Sequence, residues 1–263
     1  MYPYNDIRKV PLDYEGISSS AFAVQRHNIP KSGPNSWKEC GVVSQKYMLV
    51  PNQDVRDLAT QIATESKLDW KFSKEFFDGR RYMYFMQCES EKVNIAKDDD
   101  IALGMGFWNS YDGSTALQFR TFLVRLACLN GMITKDFMNL VKFKHDKTSE
   151  GYEEQIIKSA SVVDNCGSNV EEVAARMRTM TETECDVELL SQIRCNLLNH
   201  IPVTLWGKIT SKFLSDMYQK DVTPTLWDFY NASTNILWHE EKPTVSTFEH
   251  NSSITDSLLK YVA

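Results

Sequence analysis

Arginine and aromatic residues recur together between positions 70 and 125 in a way that suits a grip on a single nucleic-acid strand. Arg80, Arg81, Tyr82, Tyr84, Phe107, Arg120 and Arg125 fall in two neighbouring stretches, and Lys142 and Lys144 follow in a basic connector, KFKHDK. Positive side chains neutralise phosphates, and an aromatic face under a base contributes roughly 1–3 kcal/mol. A sheet face on which the two types alternate supplies both. The same pattern also suits an ordinary sheet with aromatics inward and arginines at its rim, and acidic residues interleave it.

A second constellation is polar. Asp112 and Ser114 belong to a tight turn, Asn130 closes an apolar run, and His145 is flanked by Lys142, Lys144 and Lys147. If the fold converged Asp112, Ser114, Asn130 and His145, they could serve an enzyme acting on nucleic acid or a nucleotide, with His145 moving a proton. They equally suit satisfying backbone groups around the turn. A Cys128–His145 nucleophile pair is disfavoured because Cys128 lies in an apolar run.

Other chemistry lacks its residues. The chain has neither G-x-x-x-x-G-K-[ST] nor G-x-G-x-x-G, and no G-x-S-x-G or H-E-x-x-H. Gly104 and Gly106 lie in a strand pattern and read as small residues beneath Trp108. The run Asp98-Asp99-Asp100 lacks the Gly and Glu of a calcium loop and reads as a solvated turn. The six cysteines form no C-x-x-C pair, so buried free thiols in a reducing compartment are expected. Neither a metal nor a cofactor is expected.

Composition sets the outer bounds. The chain has 263 residues, 42% hydrophobic and 24% charged, enough for a sizeable core. A net charge of −6 argues against a protein devoted to gripping duplex DNA, so any nucleic-acid site must be a local, salt-sensitive patch. No run approaches the roughly 18 apolar residues of a membrane span, and Met1–Val10 carries no apolar leader. A soluble, cytoplasmic protein is the expectation.

Local patterns predict an α+β fold: an antiparallel, hairpin-rich sheet in the N-terminal half packed against a helical C-terminal half. Residues 1–36 read as an irregular arm, 37–240 as a single domain and 241–263 as a polar tail. Cys40–Val50 reads as a strand. A helix follows, capped by Asn52 and burying Val55, Leu58, Ala59 and Ile62. Two hairpins turn at Asp78-Gly79 and Asp112-Gly113, where type I′ geometry needs positive φ at both central residues. A two-residue turn pairs Glu75 with Tyr82, Trp108 with Leu117 and Gly106 with Phe119. It leaves Tyr82 and Tyr84 on the wetter face. Beyond Arg120 the alternation slips, through a bulge near Thr121 or through burial on both faces. Helices are expected around Ile156–Val163, Val170–Met177 (capped by Ser168), Val187–Leu197 and Val203–Tyr218, with a last one opened by Thr223-Pro224.

The segments DGRRYMYF, NSYDGSTAL, VRLACLNGM, a KHD connector and LWDFYNAST together resemble a phage- and plasmid-borne family of unknown function. Its pattern joins an N-S-x-D-G-S turn, an R-x-x-C-x-N segment, a basic histidine and a late W-x-x-Y-N-A. Here these are Asn109, Ser110, Asp112, Gly113, Ser114, Arg125, Cys128, Asn130, His145, Trp227, Tyr230, Asn231 and Ala232. The resemblance implies a mobile-element setting among replication and recombination functions. In outline the expected architecture is also similar to Rad52-type annealing proteins, which form rings. The leading expectation is therefore a non-enzymatic protein binding, and annealing, single-stranded DNA as a homo-oligomer. A viral structural protein, or an inhibitor of host defence, is the other non-enzymatic reading.

Overall fold

A computed structural model describes residues 7–14, 17–28, 36–126, 130–132, 140–143, 152–220, 223–241 and 245–262. Its order of elements is α+β as expected, with two antiparallel sheets before most of the helices. The chain groups into two compact units. The first comprises Met1–Gln87, Met105–Thr121 and Asn139–Asp164; the second comprises Cys88–Gly104, Phe122–Met138 and Asn165–Ala263.

The expected irregular arm is a sheet. Strands β1 (Ile7–Tyr14), β2 (Ile17–Asn28) and β3 (Ser36–Ser44) pair in that order. Val10 faces Ala23, Phe22 faces Val43 and His27 faces Trp37. Pro11 is tolerated because β1 is an edge strand and its register shifts between Pro11 and Asp13. One face buries Val24, Cys40 and Val43 against Tyr111, with Ile7, Phe22 and Phe77 packed around them. Serines and charged residues on the other positions had hidden the alternation.

Helix α1 (Asn52–Glu65) buries Val55, Leu58, Ala59 and Ile62, the predicted stripe. Asn52 is its first residue instead of its cap, and its buried side chain accepts a hydrogen bond from the Tyr111 hydroxyl. The second sheet runs β4 (Trp70–Phe77), β5 (Arg81–Ala96), β6 (Asp99–Ser110), β7 (Leu117–Arg125) and β8 (Asn130–Met132), and β9 (Leu140–Phe143) also pairs with β7.

Both Asp-Gly turns stand where predicted, but not as type I′. Gly79 (φ 97°) and Gly113 (φ 74°) take positive φ, whereas among the described non-glycine residues only Asp98 does. Asp78 instead folds its carboxylate back onto the backbone N–H groups of Arg80 and Arg81. The second loop is longer, from Tyr111 to Ala116. Phe107, and not Gly106, packs on Phe119, and Arg120 lies over Trp108. Gly106 does underlie Trp108: a Cβ there would stand 2.6 Å from the indole. Residues 117–124 are all buried, which explains the slipped alternation by burial on both faces.

The two helices predicted over 156–177 are one, α2 (Tyr152–Glu182). Its buried positions Ala160, Val163, Cys166, Val170, Val173, Met177 and Met180 keep a helical period across Gly167. Helix α3 (Val187–Leu197) buries Ile193 and Leu197 but leaves Val187 exposed. Helix α4 (Val203–Lys220) follows. Helix α5 (Leu226–Asn235) is capped by Thr225 in a capping box with Asp228, two residues later than Thr223. The delay arises because Pro224 and Thr225 extend beside Thr183–Cys185, with Cys185 N–H donating to the Pro224 carbonyl. A π-helical turn, Ile236–Glu240, continues α5. The expected polar tail instead forms α6 (Val245–Leu258), which buries Phe248, Ile254 and Leu258. Ser168 as a cap is not needed inside the continuous α2.

Candidate nucleic-acid interface

The first expected stacking residue is inaccessible. Tyr82 is fully buried, and its hydroxyl donates to Glu75 Oε2 at 2.6 Å. That carboxylate also pairs with buried Arg56 at 2.8 Å, beneath α1. Burial, and then the Glu75 carboxylate, push the Tyr82 hydroxyl above its ordinary range. Tyr84 is 8% exposed and packs on Phe72; Phe107 is wholly buried against Phe119. None of the three offers an open ring. The supposedly wetter face of the first hairpin is covered.

The arginines divide in the same way. Arg80 is exposed and Arg81 half-buried, both at the first hairpin turn. Arg120 is 8% exposed and donates to Gln118 Oε1 at 3.0 Å. Arg125 belongs to the second unit, where it grips Asp99 with two hydrogen bonds of 2.6 and 2.7 Å. The side chain of Lys142, and Lys144 altogether, lie outside the described residues.

Of the polar candidates, Asp112 and Ser114 lie within the described residues. Asp112 Oδ1 accepts the Ser114 N–H at 2.9 Å, a local turn bond. Burial opposes the charge of Asp112, but bonds from Ser114 and the charge of Arg81 outweigh it and hold the carboxyl below its usual range. The turn presses on β3, where a Cβ on Gly41 would stand 2.5 Å from Asp112 Cα. The Asn130 side chain, Cys128 and His145 lie outside the described residues.

Several motif positions are scaffold. Asn109 Nδ2 donates to the Val50 carbonyl at 2.7 Å, and Ser110 bonds both backbone groups of Thr115. In the second unit, Trp227 Nε1 donates to Asp99 Oδ2 at 2.9 Å, so one buried carboxylate joins the arginine of one motif to the tryptophan of another. The buried Tyr230 hydroxyl bonds Thr255 at 2.8 Å. The acid run is thus no free cluster: Asp99 is engaged and Asp100 accepts from Asn94. Cys40, Cys88, Cys166 and Cys185 are buried free thiols, and Cys195 is an exposed one.

Exposed basic and aromatic groups do meet elsewhere in the first unit, on the outer face of the β1–β2–β3 sheet. Trp37 is 39% exposed on β3. The Arg8 guanidinium of β1 lies 4.0 Å from its ring centroid, and His27 of β2 packs 5.3 Å from it. Gln25 accepts from Arg8 Nε at 3.0 Å and fixes its orientation. Exposed Lys38 follows Trp37 on β3 but pairs with Arg26, so its side chain belongs to the other face. A planar ring held beside a cation on an open strand face can stack a base and meet its phosphate. Arg8, His27 and Trp37 escaped notice because their unit of structure, a sheet, was not recognised. Their signal was three positions at strand spacing from Pro- and Ser-rich turns.

Residues 39–259 match the family described as a domain of unknown function, DUF932, and the chain belongs to that family. No curated protein and no solved structure matches the chain. No helix among the described residues is long and apolar enough to cross a membrane.

Proposed function

We propose that this DUF932 protein binds single-stranded DNA, in the phage or plasmid setting of recombination and replication, through the outer face of its N-terminal sheet. The observation that carries the reading is Trp37, open near the start of β3 with Arg8 and His27 beside it. Arg8 meets phosphate, and Trp37 stacks a base. The acidic chain as a whole repels the strand, so contact is confined to this face and weakens steeply with salt. No catalytic step belongs to the reading.

Fluorescence anisotropy of a labelled oligonucleotide, titrated with the full chain at low and at physiological salt, tests this. Binding should be tighter for single strands than for duplex and should fall with salt. Trp37→Ala should weaken it about 5- to 150-fold, the range that one stacked base supplies. No binding at low salt, or binding indifferent to Trp37→Ala and Arg8→Ala together, rejects the proposal.

A further inference from the structure

The outer face of the N-terminal sheet carries one group that works against phosphate. Glu39 stands two residues beyond Trp37 on β3, exposed and on the same side of the strand, about 7 Å along it. It faces Gln25 of β2, which faces Arg8 of β1. Directly opposed residues share a face. Arg8, Gln25 and Glu39 therefore form a row across the three strands, next to the pair of His27 and Trp37. Arg8 Nε donates to Gln25 Oε1 at 3.0 Å, which commits the amide oxygen and leaves the N–H2 group as a donor. Among the described residues, nothing bonds that N–H2 group or the Glu39 carboxylate. The row thus sets a donor beside a carboxylate that only accepts.

We infer that this row selects guanine in the strand stacked on Trp37, with Gln25 and Glu39 as the specificity-determining residues. The preference rests on the single-strand reading of this face given above. The base-pairing edge of guanine presents an oxygen acceptor and then two neighbouring N–H donors. Gln25 N–H2 gives to O6, while the two oxygens of Glu39 take N1–H and N2–H2, so all three groups find partners. No other base offers two neighbouring donor groups on that edge. Thymine has one N–H between two carbonyl oxygens. Adenine and cytosine have one amino group beside lone pairs, which the carboxylate meets with repulsion. A carboxylate on a nucleic-acid face weakens every strand alike, and a base with two donors offsets that. The same edge is occupied in a duplex and open in a single strand, so this contact also favours single strands.

Anisotropy of a labelled oligothymidine with one central guanine tests this on the full chain at low salt. The comparison strands carry adenine, cytosine, thymine or hypoxanthine at that position. The guanine strand should bind about tenfold or more tighter than the other natural bases, within what one bidentate pair supplies. Hypoxanthine keeps O6 and N1–H but lacks the N2 amino group, and should lose most of that gain. Glu39→Gln should abolish the preference yet bind the all-thymine strand at least as tightly as the parent, because it removes a negative charge from the face. The hypoxanthine arm uses the parent chain, so it decides even where a variant misfolds. Equal affinity for all four bases, hypoxanthine as good as guanine, or a preference that survives Glu39→Gln overturns the inference and leaves single-strand binding standing. Absence of binding to every strand overturns both.

Discussion

Two regions of the first unit contain the same residue types and use them oppositely. In the β4–β5 and β6–β7 hairpins, Tyr82, Tyr84 and Phe107 are inside and Arg56, Arg120 and Glu75 are buried with them. In the β1–β2–β3 sheet, Trp37, His27 and Arg8 meet at the surface. The difference is cover. Strands β5, β6 and β7 are buried on both faces over 82–88, 101–110 and 117–124, so even an arginine there must find a fixed partner. The three-stranded sheet spends one face on Val24, Cys40 and Val43 and leaves the other to solvent. An aromatic beside an arginine is thus an interface or a core depending on what lies above it.

That contrast breaks most readily where the aromatic is inside. Phe107→Ala should cost about 3–5 kcal/mol in denaturant unfolding, the usual range for a buried phenylalanine. A loss under about 1 kcal/mol would mean that the hairpin face is open after all. Next, Glu75→Gln leaves the buried Arg56 guanidinium without its counter-charge, and should cost around 3 kcal/mol. Arg56→Met in the same chain should restore much of that loss. Trp37→Ala sharpens the contrast from the other side. It should change stability by less than about 1 kcal/mol, while reducing oligonucleotide binding as above. Equal loss of both would make Trp37 another core residue.

The smallest effect is alkaline. Burial raises the Tyr47 hydroxyl to about 12, and a bond with the Ser110 side chain opposes that rise only in part. An unfolded tyrosine ionises near 10. The folded value is the higher one, so this stabilisation is complete below about pH 10 and is lost as pH rises toward 12. Tyr47→Phe removes the titrating group, and its unfolding free energy should fall less steeply than the parent's over that window. Parallel slopes would place Tyr47 in water.

Much of the fold was legible because its signals are local. Asp78-Gly79 and Asp112-Gly113 mark turns, and the stripe Val55, Leu58, Ala59, Ile62 marks a helix face. Failures arose where distant chain decides. Whether 156–177 makes one helix or two turned on a continuous buried stripe through Cys166 and Val170. The start of α5 turned on Pro224 pairing beside Cys185. The candidate site was legible only as a composition. The residues first proposed for stacking are covered, and those that are open lay in a segment with no evident period.

By itself the sequence determined the α+β order, both hairpin positions, the helix faces and an acidic net charge. These follow from backbone sterics, from side-chain period and from charge, none of which needs a distant partner. Tertiary structure alone decided which aromatic rings are open, which arginines are engaged, and that a Pro- and Ser-rich arm is a sheet. Burial is a property of two surfaces, and a strand cannot state in its own residues what will cover its second face.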